Sequence, residues 1–241
     1  MRVLSGADLI DLRERGAALH PIDRALLALD VDGADRDALA RLPLGVRDAR
    51  LLAVRRELLG DRLDAEADCP ACGERLELAL GCSALIAAAS PPPEAWEIEY
   101  GDWRVTVRPL DSLDAAAAAA CGDAPAAEEL LLSRCVTDVR RDDDAYGAPA
   151  LPHEVRDAIA RSLADRDPGA EWLLDLDCPA CGHAWQNMLD VADFVWRELA
   201  ARGDRLLGEV HVLARAYGWR EADILELPPA RRAAYLALVS A

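Results

Sequence analysis

Two pentapeptides in this chain are identical: Cys69-Pro70-Ala71-Cys72-Gly73 and Cys178-Pro179-Ala180-Cys181-Gly182. Between Cys72 and Cys178 lie 105 residues. Two cysteines separated by two residues can both reach one metal ion if the chain turns sharply between them. Proline after the first cysteine pre-sets that turn. Glycine after the second permits the positive φ that lets backbone N–H groups point at the sulfurs. Zn2+ takes four ligands at tetrahedral angles with Zn–S near about 2.3 Å, so one turn supplies half of a closed site and two supply all of it. The expectation is one Zn2+ held by Cys69, Cys72, Cys178 and Cys181, two halves of a single zinc ribbon. Four thiolates leave no open position, so such an ion is structural and not catalytic. The alternatives are two separate half-sites, a site that has lost its metal, or a redox pair in each turn. A thioredoxin-like redox pair sits at a helix N-terminus after a strand, whereas both copies here run on into strand-like sequence.

The remaining candidates are weaker. Cys82, Cys121 and Cys135 lack ligand spacing and read as small buried hydrophobes. His183 follows the second turn and could replace a thiolate, but the two cysteine pairs already suffice. His20 and His153 flank prolines at helix starts and read as surface residues; His211 lies beside an apolar stripe and reads as partly buried. The run Asp142–Asp144 reads as a solvated loop in preference to a cation site. No nucleophile elbow, P-loop or dinucleotide fingerprint occurs, and no Ser/His/Asp or Cys/His constellation stands out. No catalytic residues, small-molecule substrate or enzyme activity are therefore expected.

The elements that must position the cysteines follow from periodicity. Ser5 can cap a helix running to about Arg15, with Gly16 as its stop. Pro21 suits the first turn of a helix over 21–30. A third helix over 44–59 clusters Val46, Leu51, Leu52, Val54, Leu58 and Leu59, and Gly60 ends it. Leu76, Leu78 and Leu80 alternate at strand spacing, which puts the first pentapeptide at a hairpin tip. After the stiff SPPP linker at 90–93, residues 96–108 read as a second hairpin turning at Gly101-Asp102. Helices are expected from Asp111 or Ser112, over about 126–136, and over 152–165, with 141–149 an exposed loop. Trp172, Leu174 and Leu176 alternate into the second pentapeptide, and Trp185 follows. From Val191 onward the pattern is helical: Leu206, Leu207, Val210, Leu213, Ala214 and Tyr217 form one stripe, Gly218 breaks it, and Pro228-Pro229 opens a last helix.

The fold class expected is α+β, with helical ends around a split four-cysteine ribbon and an inserted β-hairpin and helices. In ranges, this gives an N-terminal helical region over 1–61, a ribbon over 62–82 plus 170–190, an insert over 94–169, and a C-terminal helical module over 191–241. The chain has 241 residues, 52% of them hydrophobic, which suffices for a real core. Every one of the 27 basic residues is Arg, and the formal net charge is −17. An acidic chain repels phosphate backbones, so nucleic acid is not an expected partner. No apolar run reaches about 18 residues and no leader is visible, so neither a membrane span nor secretion is expected, and the setting is cytoplasmic. The charge is uneven: residues 197–241 hold seven Arg and six acids, a net of +1. Trp219, Arg220, Arg231 and Arg232 lie in that stretch, and Trp and Arg are the usual anchors of protein contacts. They are the expected partner-binding residues. A helix-turn-helix binding DNA is the alternative reading, but a segment near neutrality offers a poor phosphate surface.

The order of several segments resembles a known family. VTVRPLDSLD, LLLSRCVTDV, LPHEVRDAIARSLADRDPGAEWLLDLDCPACGH and LLGEVHVLARAYGWREADILELPPARRAAYL look like the baseplate hub assembly chaperone family of T-even-type phages, over roughly residues 60–241. Relatives occur in contractile injection systems, which are phage-tail-like. The resemblance implies a cytoplasmic, non-enzymatic protein, or a part of the assembled particle. Its implied partners are hub, spike or wedge proteins of a contractile-tail baseplate.

Overall fold

The structure is a computed structural model that describes residues 4–30, 33–141, 144–148 and 151–239. In chain order come helices α1 (Gly6–Gly16), α2 (Pro21–Leu29), α3 (Arg36–Ala40) and α4 (Leu44–Leu59). Strands β1 (Arg62–Asp68) and β2 (Arg75–Gly81) precede α5 (Cys82–Ala88), β3 (Trp96–Tyr100) and β4 (Trp103–Val107). Then follow α6 (Ser112–Ala119), α7 (Ala124–Cys135), β5 (Val136–Arg141), β6 (Asp144–Ala145), α8 (His153–Arg166), β7 (Trp172–Asp177) and β8 (Ala184–Leu189). The chain closes with α9 (Val191–Tyr217), α10 (Glu221–Glu226) and α11 (Pro229–Val239). The fold is α+β and divides into two compact units: Met1–Ala34 with Ala192–Ala241, and Asp35–Val191.

The first unit joins the two ends of the chain. Ser5 and Asp8 close a capping box that starts α1. Pro21 opens α2, with the His20 side chain accepting from the Ile22 amide. Gly16 is the last residue of α1, and a Cβ there would overlap the Trp196 ring of α9. The Arg24 guanidinium sits 5.4 Å from the centre of that ring and donates to the Gly16 and Ala17 carbonyls. Leu9, Leu12, Leu26, Val195, Leu199 and Leu206 are buried.

The second unit holds all eight strands described. A four-stranded sheet runs in the order β3-β4-β5-β6, every pair antiparallel. The 96–108 hairpin appears as read, with Trp103, Val105 and Val107 all buried. Strand β5 was not expected. Its pattern Val136-Thr-Asp-Val-Arg-Arg carries only two apolar residues, and pairing with β4 completes what periodicity does not announce. Within the expected 141–149 loop, Asp144–Ala145 adds a short strand, whereas Asp142 and Asp143 lie outside the described residues. The core gathers Trp96, Val105, Val139, Val155, Ile159 and Cys135, and the Trp96 Nε1 donates to Ser162 Oγ of α8 at 2.8 Å.

Helix α4 ties the insert down at both ends. The Leu44 amide donates to the Leu110 carbonyl (3.0 Å), and the Gly45 amide donates to Asp167 Oδ2 (3.2 Å). Gly45 and Gly169 meet so closely that a Cβ on Gly45 would strike the Asp167 carboxylate and the Gly169–Ala170 backbone. The helix also buries Arg47, Asp48 and Arg55. Arg47 Nε donates to Asp48 Oδ1 at 2.7 Å. Burial pushes the Asp48 carboxyl up, against the pull of Arg47.

Candidate metal centre

Two hairpins carry the pentapeptides. In β1–β2 the register runs from Arg62↔Gly81 to Asp68↔Arg75; in β7–β8 it runs from Trp172↔Leu189 to Asp177↔Ala184. The turns are built alike. The Cys69 amide donates to the Glu74 carbonyl (2.8 Å) and the Gly73 amide to the Cys69 carbonyl (2.9 Å). The Cys178 amide donates to His183 and the Gly182 amide to Cys178, both at 2.9 Å. Gly73 and Gly182 take φ of +77° and +71°, the left-handed region in which a Cβ is costly.

The two tips face each other. Cys69 Sγ lies 3.8 Å from Cys181 Sγ, and Cys72 Sγ lies 3.6 Å from Cys178 Sγ. All four sulfurs fall within 4.8 Å of one another. A tetrahedron with Zn–S near about 2.3 Å has S···S edges near about 3.8 Å, so the set is spaced for one zinc. The first cysteine of each turn is buried and the second exposed, an alternation the spacing alone does not reveal. The His183 ring stacks on Trp185 at 6.0 Å and stands outside this cluster.

The four thiols influence one another's ionisation. Burial opposes ionisation of Cys69, but the amides of Ala71 and Cys72 aim at its sulfur and, with neighbouring thiols, bring it down to about 7. The Glu74 amide favours the Cys72 thiolate, yet the facing Cys181 and Cys178 push it up to about 12. Cys181 is also raised: the His183 amide and Cys72 favour its thiolate, but burial, Cys178 and Cys69 outweigh them. Cys69 thus ionises more readily than an ordinary thiol while Cys72 and Cys181 resist, as like charges brought close together require. Among the others, Cys82 and Cys135 are buried, and burial pushes the Cys135 thiol up to about 11.

The tail residues separate. Trp219 is half-buried, stacked on Tyr217 at 4.7 Å and edge-on to Tyr235 at 4.8 Å. Arg220 and Arg231 are exposed. Arg232, expected on the same outward face, is turned inward: it is 4% exposed, with Nε 2.5 Å from Glu209 Oε2 and Nη1 donating to the Leu227 carbonyl. Its position on α11 sends it back under the helix toward α9. His211, expected to be partly buried, is exposed.

No helix of the described residues is long and apolar enough to cross a membrane. No curated protein and no solved structure matches the chain. A family model described as T4 bacteriophage base plate protein matches residues 25–196, more than two thirds of the chain and a span that takes in both cysteine turns. The chain therefore belongs to the T4 bacteriophage base plate protein family.

Proposed function

We propose that the protein is a non-enzymatic assembly factor or structural component of the baseplate hub of a contractile tail, either a phage's or that of a contractile injection system. The observation that carries this reading is the family match across residues 25–196. In this role one structural Zn2+ bound by Cys69, Cys72, Cys178 and Cys181 joins chain segments on either side of the insert. Zinc holds small ribbons that cannot bury enough apolar surface by themselves. The partners are hub, spike or wedge proteins, met in the cytoplasm during assembly or in the finished particle.

Exposed Arg220 and Arg231, beside the half-buried Trp219, supply a contact surface on the least acidic stretch of the chain. The test is co-expression with hub, spike and wedge proteins of a contractile-tail baseplate, followed by size-exclusion chromatography. Co-elution with at least one is expected, and a charge-reversed Arg220→Glu/Arg231→Glu protein should keep its zinc while losing partner. Migration of the unaltered protein alone, against every candidate, would overturn the assembly role.

A further inference from the structure

The second unit has a concavity away from the cysteines. An open trough of about 900 Å3 lies between α7, α8 and the β7–β8 hairpin. Its α7 wall is Ala124, Ala127 and Leu131, at spacings of three and four that share one helix face. Its α8 wall is Ala160, Leu163 and Ala164. Small side chains along both walls leave room for a backbone to approach closely. The apolar surface continues onto the ribbon, where the cross-strand pair Leu173 and Met188 is 48% and 61% exposed. A monomer rarely leaves such a continuous apolar surface bare without a use for it.

The rim has a sign. Glu128, Asp157 and Glu171 are exposed around the trough. The one cation lining it, Arg156, has its Nε committed to the Leu151 carbonyl. Open, walled by small side chains and edged by acids, the trough has the charge and lining that suit a helix in a groove.

We infer that this trough seats an amphipathic helix of another baseplate protein, one whose apolar ridge of about two turns is flanked by Arg or Lys. The inference rests on the protein-binding role above. The ridge fills the space between α7 and α8, the flanking cations meet Glu128, Asp157 and Glu171, and Met188 with Leu173 covers the helix from the ribbon side. The ribbon then does more than hold the insert: it forms one wall of a binding site, so the cysteine cluster bears on recognition.

The experiment uses the zinc-loaded full chain and two fluorescent synthetic helices. Both carry Leu at positions i, i+3 and i+7, one with Arg flanks and one with Glu flanks. Anisotropy should show the Arg-flanked helix binding at least ten-fold more tightly. Ala160→Trp, which fills the trough from an exposed position, and Met188→Glu, which removes apolar cover, should each weaken it at least ten-fold. The double change Glu128→Arg/Glu171→Arg should reverse the preference between the two helices. Equal affinity for both helices, no binding to the unaltered chain, or binding untouched by both Ala160→Trp and Met188→Glu would overturn the inference. Self-association that sedimentation shows to vanish in the same two variants would assign the trough to a second copy and overturn it too. Co-elution of baseplate proteins with Ala160→Trp and Met188→Glu as strongly as with the unaltered chain would leave the assembly role standing and remove this site from it.

Discussion

Cys72 is exposed, and on a surface a Cys→Ser change is ordinarily within about 0.5 kcal/mol of neutral. Here it removes one of four sulfurs spaced for one ion, and metal-binding free energy in such sites is folding free energy. Cys72→Ser is therefore expected to purify with little or no zinc by elemental analysis and to melt well below the unaltered protein. Zinc retained at one per chain would show that Cys72 is not a ligand. A second residue works purely by shape. Gly45 admits the Asp167 carboxylate and the Gly169–Ala170 backbone where a Cβ would be. Gly45→Ala should cost about 1–3 kcal/mol in denaturant unfolding, the usual range for overpacking, with zinc content unchanged. Asp114 adds a pH signature. Burial opposes its charge, but Arg108, the Asp111 amide and Arg134 outweigh burial and hold the carboxyl below the usual carboxylate range. Since the folded state binds that proton less readily than the unfolded one, this stabilisation is present above the ordinary carboxylate pKa and is lost as pH falls through the lowered one. Acid unfolding of Asp114→Asn should accordingly show a shallower loss of stability in that window than the unaltered chain.

At the scale of elements, the hairpin tips depend on backbone that only glycine adopts cheaply. Gly182→Ala forces a side chain to φ near +71° and should lower stability by about 1–2 kcal/mol while the zinc count stays the same, as calorimetry and elemental analysis would show together. Loss of zinc as well would mean that the turn cannot tolerate the strain and reshapes. The same elements show what a sequence makes legible. The cysteine turns were readable because ligand chemistry dictates residue type and spacing at once. Hairpin 96–108 was readable because Trp96, Trp103, Val105 and Val107 alternate. Strand β5 was hidden, since Arg140 and Arg141 sit in it and its place is decided by pairing with β4. Short α3 and α5 lack the length at which periodicity speaks. Gly16 ends α1 as read, but it is also a contact for Trp196, a partner 180 positions later that no local pattern names. Arg232 looked like an outward-facing charge, and burial beside Glu209 reverses that reading. The trough along α7 and α8 was invisible for the same reason: each wall alone reads as an ordinary Ala-rich helix.

For the whole molecule, the proposed zinc is a clamp across a long insertion, because both cysteine turns belong to one compact unit. Removing it frees two hairpins, one of seven and one of six residues a strand, and an isolated two-stranded hairpin is marginal in water. Chelation should therefore loosen the ribbon and abolish partner co-elution together, whereas Arg220→Glu/Arg231→Glu should abolish co-elution and leave zinc in place. At the proposed centre Cys72 and Cys178, 106 positions apart, share a single ion. Zinc-edge X-ray absorption on freshly purified full-length protein tests it most directly. The expected spectrum fits four sulfurs in one shell near about 2.3 Å with no nitrogen or oxygen neighbours. A shell of two sulfurs with two lighter atoms, as separate half-sites would give, or protein that carries no zinc to measure, would contradict the shared centre.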